Sequence, residues 1–276
     1  MKIQYLGTAA AEGIPALFCD CEVCRNARKI RGKEVKTRSQ ALIDDSILVD
    51  FPADTYMHVL NNGIRLDKIH TLIVTHSHSD HFYPQDFWCR SPGIGNNIEE
   101  KPLDVYVTAP GYAAAEEFMA ANNVPAERVA LHRIEAFSPF ESEGYRFIPL
   151  KADHDQKTEP VFYIVEHGKK TMLYAHDTGY FPDEVWEFLA KYKRRFDFVS
   201  LDCTGMLLPN YRHGHMGLSV CGEVYERLTE MGLCDKDTKA CINHFSHNGL
   251  ATHDELVEEA EKYGFLTSYD GCEIEF

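Results

Sequence analysis

The stretch Thr71-Leu72-Ile73-Val74-Thr75-His76-Ser77-His78-Ser79-Asp80-His81 decides the reading of this chain. Thr71 to Val74 is a short apolar run and reads as a buried strand. Residues two apart in extended chain point to the same side, so His76 and His78 aim two imidazoles at one point just beyond the strand end. Asp80 and His81 follow, with Asp80 read as the start of a helix running through Phe87. Adjacent side chains at a helix start diverge, and these two address a second point nearby. Four imidazole or carboxylate ligands within six residues suit Zn, Mn or Fe rather than Ca. A single loop histidine is usually an ordinary polar residue, but three in six with an acid in phase point to metal.

Outward from this turn, short β-type runs alternate with helical ones. Strands are expected at Ala41–Asp44 and Ser46–Asp50 (a hairpin around Asp45), Asp104–Thr108, Arg146–Leu150, Val161–Val165, Thr171–Tyr174, Asp197–Leu201 and Lys239–Ile242, with an edge strand at Cys272–Phe276. Helices are expected at Thr55–Asn61, Gly111–Asn122, Asp183–Tyr192, Leu218–Met231 and His253–Lys262. This is an α/β pattern of sheets covered by helices. No repeat or linker divides the 276 residues, so one domain over 1–276 is expected.

Lys plus Arg is 28 and Asp plus Glu is 43, a net charge of −15. Such a surface repels polyanions, so nucleic acid is an unlikely partner and a small anionic substrate at a local cationic site is favoured. No segment approaches the roughly 20 apolar residues of a membrane span, and Met1 to Gly7 reads as a first strand rather than a signal peptide. Nine cysteines, an odd number, argue for a reducing, cytoplasmic setting. Six of them (Cys89, Cys203, Cys221, Cys234, Cys241, Cys272) are scattered and read as small buried apolar residues.

The His-x-His-x-Asp-His turn after an apolar strand resembles the motif of the metallo-β-lactamase superfamily. The resemblance spans nearly the whole chain. It implies a four-layer αβ/βα sandwich and further ligands downstream. His154 in Ala152-Asp153-His154-Asp155, Asp177 in Ala175-His176-Asp177-Thr178-Gly179 and His244 in Asn243-His244 fall in the implied order after expected strands. By resemblance, His76, His78 and His154 hold one metal, Asp80, His81 and His244 the other, and Asp177 bridges them, with Asp50 supporting the site. The residues alone leave two alternatives open: His154 as a plain surface histidine, and His176 in place of Asp177. A carboxylate bridges two cations more readily than an imidazole with one lone pair.

Cys19-Asp20-Cys21-Glu22-Val23-Cys24 packs three thiols into a loop near residues 18–25, which fits a structural zinc lacking one ligand. A redox pair would leave the third cysteine unexplained. This cluster, with Leu6 to Pro15 before it, resembles the PhnP-type phosphodiesterases of the carbon–phosphorus lyase pathway. In that group the fourth zinc ligand is a His three residues after the last active-site His, which implies His247. The group also carries a His near the metals that protonates the leaving group. His215 in Arg212-His213-Gly214-His215 matches that position, with His213 as runner-up. Asp80 is counted with His215 among the catalytic residues.

The expectation is therefore a hydrolase with two divalent metals and one structural zinc, a phosphodiesterase cleaving a small, linear or cyclic, diester with metal-activated water. Ribonuclease-Z-like RNA cleavage, thiolester or lactone hydrolysis, and a non-catalytic zinc-binding role are the alternatives. The segment Phe82 to Glu100 is expected to wall the site, bordered by the turn from Lys157 to Pro160. A homodimer is a fold-level expectation.

Overall fold

The computed structural model describes residues 1–276, and its strands form two seven-stranded sheets. Strands β1 (Lys2–Gly7), β2 (Gln40–Ile43), β3 (Ile47–Val49), β4 (Thr71–Ile73), β5 (Leu103–Val107) and β6 (Val129–Arg133) build the first. Strands β7 (Phe140–Ser142), β8 (Tyr145–Lys151), β9 (Val161–His167), β10 (Lys170–Ala175), β11 (Phe198–Asp202), β12 (Lys239–Asn243) and β13 (Leu266–Thr267) build the second, while β14 (Glu273–Glu275) returns to the first as an edge strand. β14 pairs antiparallel with β1, and β3, β4, β5 and β6 run parallel. β10, β11 and β12 also run parallel.

Period-two alternation stacks the sheets face to face. Ile3, Tyr5, Ala41, Ile43, Ile47, Val49 and Ile73 from one meet Phe147, Tyr163, Val165, Met172, Tyr174 and Phe198 from the other in one buried cluster. The intervening residues Leu42, Leu48 and Leu72 face outward, into a second cluster with Ala115 and Met119. These two belong to helix α3 (Ala109–Asn122), which follows α1 (Glu22–Ile30) and α2 (Thr55–Asn62). On the far side, Leu173, Val199 and Leu201 pack against α4 (Asp183–Lys191), α5 (Leu218–Glu230) and α6 (His253–Glu261). Helix, sheet, sheet, helix is the four-layer sandwich expected from sequence. Burying each large aliphatic side chain in these layers contributes about 1.5–3 kcal/mol.

Strands β6, β7 and β13 add to the expected set, and three other features differ from expectation. Helix α1 is absent from the sequence expectation, because its apolar face (Val23, Cys24, Ala27) includes a cysteine of the cluster. The helix expected from Asp80 does not form. Residues 78–82 close one turn through hydrogen bonds from the His81 and Phe82 N–H groups to the His78 carbonyl, Phe82 pairs with Phe51 as an extended bridge, and a 3-10 helix starts only at Pro84. Five of the six scattered cysteines are buried, but Cys89 is exposed on that 3-10 helix. Gly7 is needed where β1 crosses the chain at Arg38: a Cβ there would meet the Arg38 carbonyl oxygen at 2.0 Å. No helix is long and apolar enough to cross a membrane.

Candidate metal centre and active site

The candidate ligands converge at the carboxyl ends of the strands, where open α/β sheets bind ligands. β4 delivers the histidine turn, β8 His154, β10 Asp177, and β12 His244. Asp50 at the end of β3, Asp177 and His244 all have positive φ (63°, 52° and 66°), so each strand turns sharply at the residue that carries the functional group.

Each imidazole is oriented by a bond from the nitrogen that faces away from the site. His81 Nδ1 lies 2.8 Å from Asp50 Oδ2, and His76 Nδ1 3.1 Å from Thr75 Oγ1. His244 Nδ1 is 2.8 Å from Thr204 Oγ1, and His154 Nδ1 is 3.1 Å from the Gly214 carbonyl. His78 Nε2 faces Asp155 Oδ2 at 3.4 Å. Thr75 Oγ1 donates to Asp50 and Thr204 Oγ1 to the His244 carbonyl, so both hydroxyls accept from their histidine. In the neutral imidazoles the second nitrogen is then a bare acceptor.

Those acceptors point at one another. His76 Nε2 is 2.9 Å from His78 Nδ1, which is 3.2 Å from His154 Nε2. Asp177 Oδ2 lies 3.0 Å from both His81 Nε2 and His244 Nε2, is buried, and has no hydrogen-bond partner. Its Oδ1 is 3.9 Å from His154 Nε2, so the carboxylate reaches toward both groups. Asp80 Oδ2 joins the second group at 3.3 Å from His81 Nε2. Convergent donors around a buried carboxylate oxygen suit cations, and the donor set fits a pair of divalent metals.

His176, the alternative to Asp177, faces away. It is buried with Nε2 2.7 Å from Ser200 Oγ, and burial pushes it down to about 3. His215 borders the site, while His213 is largely exposed beside Asp153. Arg212 is paired with Glu223 rather than facing the pocket. A residue not singled out from sequence completes the arrangement. Asp202, buried at the end of β11, accepts from the backbone N–H groups of Asp177, Thr204 and Met216 and holds His215 Nδ1 at 2.9 Å. Burial opposes charge on His215, but Asp202 outweighs it and raises the imidazole to about 9. The signal in the sequence was an acid ending an apolar strand, the same pattern as Val49-Asp50.

The second cluster unites Cys19, Cys21, Cys24 and His247, whose donor atoms lie within 4.8 Å of one another. His247 Nδ1 is 3.5 Å from both Cys19 Sγ and Cys21 Sγ. That matches the edge of a tetrahedron around zinc with bonds of about 2.0–2.3 Å. Backbone N–H groups of Ala16 and Cys21 donate to Cys24 Sγ and Cys19 Sγ.

The pocket over the histidines has a volume of about 250 Å³. Its walls are Ala10 to Glu12, Thr204, Gly205, Leu208 and Tyr211, and Ser246, Asn248 and Gly249. The segment expected to wall it does not: Phe82 and Phe87 are turned into the outer core, and the 157–160 turn also lies outside the lining.

The chain matches the beta-lactamase superfamily domain over residues 47–242. It belongs to the beta-lactamase superfamily. It is similar to the coenzyme PQQ synthesis protein B of Ruegeria pomeroyi, 25% identical over 306 aligned positions covering 99% of each chain. Among solved structures, a diphosphatase of the PhnP family superposes with a TM-score of 0.72 at 24% identity, covering 100% of this chain and 97% of the other. The short form of human tRNase Z superposes with a TM-score of 0.66 at 13% identity, covering 100% and 99%. At these identities the superpositions establish the metallo-β-lactamase fold, a fold of metal-dependent hydrolases, and the His and Asp clusters are candidate sites for its metals.

Proposed function

We propose that the protein is a phosphodiesterase acting on a small linear or cyclic diester. The observation that carries this reading is the Asp202–His215 pair set beside the converging acceptors of a small pocket. His76, His78 and His154 would hold one divalent ion, Asp80, His81 and His244 the other, with Asp177 between them. Bound there, such ions supply Lewis-acid neutralisation of the phosphoryl oxygens and lower the pKa of water. The rest is the work of the chain. Asp50, Thr75, Asp155 and Thr204 fix the tautomer and tilt of the ligand histidines. Asp202 locks Nδ1 of His215 and favours its protonated form, leaving Nε2 to give a proton to the departing alkoxide. Asp202 also accepts from the Asp177 N–H, so one carboxylate holds both the proposed acid and the Asp177 backbone. The −15 charge and the acidic Glu12 in the wall weigh against long RNA.

The test is a panel on metal-loaded protein: bis(p-nitrophenyl) phosphate and cyclic phosphates against a thiolester and a lactone, with elemental analysis. Diester turnover with three metals per chain is expected. Turnover of the thiolester or lactone with no diester cleaved would overturn the reading.

A further inference from the structure

Glu12 is an acid in the wall of a pocket that otherwise gathers its carboxylates around histidines. Asp80 and Asp177 each lie within 3.3 Å of His81, but Glu12 faces none of the histidines of the candidate dinuclear site. One oxygen, Oε1, accepts from Ser246 Oγ and lies 3.7 Å from His247 Nε2, the ring edge turned away from the thiols. Oε2 has no partner in the protein. The segment that carries it is firmly held: the Ala10 N–H donates to the Phe245 carbonyl at 2.9 Å, and Arg38 Nε to the Ala11 carbonyl at 2.8 Å. The carboxylate therefore stands as a fixed negative charge with a free acceptor. A second wall offers a flat apolar face. The Tyr211 ring packs on Gly205, where a Cβ would meet it at 2.7 Å, and is 40% exposed.

We propose that Glu12 selects the part of the substrate that does not react. It admits an alcohol bearing hydrogen-bond donors, hydroxyl or ammonium, and rejects one carrying a second anionic group. This rests on the phosphodiesterase reading and narrows it to diesters whose only negative charge is at the scissile phosphate. A fixed carboxylate discriminates between a cation and an anion of equal size because the two interactions have opposite sign, and in a half-exposed pocket this is worth about tenfold or more.

The experiment uses metal-loaded protein and three p-nitrophenyl phosphodiesters matched in size, whose second alcohol is ethanolamine, glycerol or glycolate. Wild type is expected to prefer the ethanolamine and glycerol esters over the glycolate ester in kcat/KM by about tenfold or more. Glu12→Gln keeps an acceptor for Ser246 and removes the charge, so the ethanolamine-to-glycolate ratio falls about tenfold, with structural zinc unchanged by elemental analysis. Glu12→Asp keeps the charge and retains the preference. Calorimetric binding of phosphoethanolamine and phosphoglycolate gives a readout independent of turnover. Ratios unmoved in Glu12→Gln with zinc retained, or lost equally in Glu12→Asp, overturn the proposal. A binding preference that shifts in Glu12→Gln while no diester is cleaved upholds Glu12 and overturns the phosphodiesterase reading. No turnover together with no shift in binding overturns both.

Discussion

Replacing Asp50 with Asn tests whether the orientation of His81 rests on one proton. Asp50 is fully buried. Its Oδ1 accepts from the Thr75 N–H at 2.8 Å, its Oδ2 from His81 Nδ1 at 2.8 Å, and the Thr75 hydroxyl lies 3.0 and 3.1 Å from the two oxygens. An amide has one oxygen for these donors. If that oxygen stays on Thr75, the NH₂ group faces His81 Nδ1 and makes it an acceptor. The ring proton then moves to Nε2, the nitrogen turned toward Asp177 Oδ2 at 3.0 Å, and the atom needed for ligation is blocked. If the amide flips, the Thr75 N–H is left buried and unsatisfied, at a cost of about 1–3 kcal/mol, so the first arrangement is favoured. The expected result is a loss of about 10–100-fold in metal affinity at the site containing His81. The metal-stripped protein should also lose stability, since the substitution removes a buried charge beside His81 as well as changing a hydrogen bond. Chelator competition gives the affinity and urea unfolding of the stripped protein gives the stability. Metal affinity within about twofold of wild type would refute the tautomer argument, because the smallest effect expected from such a partner is about tenfold.

Other substitutions probe separate parts of the design. His215→Ala should lower turnover of an alkyl diester by about 10²–10⁴-fold while hardly affecting a p-nitrophenyl ester, whose leaving group needs little protonation; equal losses on both would show that His215 is not the acid. Cys21→Ser should remove one zinc and, through the shared loop from His244 to His247, weaken the catalytic metals, whereas full dinuclear occupancy would refute that coupling. His58 is buried between Gln40 and Thr37, and burial lowers it from about 6.5 to about 4. Between those pH values the unfolded chain takes up a proton that the folded one refuses. The folded protein should thus lose about 3 kcal/mol as pH falls from about 6.5 to 4, then level off. The wild-type stability measured against that of His58→Gln should narrow over this window, and a constant difference from pH 7 to 4.5, about the range concerned, refutes it.

The candidate ligand cluster is legible because strand periodicity and spacing are local. His76 and His78 share a side by virtue of their separation alone, and His154, Asp177 and His244 each stand just past an apolar run. The second rank of residues was not legible. Asp202 shares with Asp50 the pattern of an acid ending an apolar strand, but its role and that of Thr204 come from contacts between β10, β11 and β12 that no single segment shows. Nor does sequence show that Asp50, Asp177 and His244 adopt left-handed backbone, since none is glycine. The pocket wall was misassigned for a related reason. The aromatics of Phe82 to Glu100 read as a cover for the site, but Phe82 and Phe87 have a stronger claim on the outer core against Leu72 and Val105. The true walls come from the small-residue segment before the cysteines and the loops after β11 and β12, whose proximity only the fold creates.

The donor atoms of the centre are divided between the two leaves of the sandwich: the histidine turn comes from one sheet and His154, Asp177 and His244 from the other. Ions bound between them would rivet the leaves together. Their grip would disappear as soon as the leaves part, which would link occupancy to global unfolding, and melting temperature should climb with free metal concentration. A culture starved of metal would then hold a less durable protein as well as an idle one.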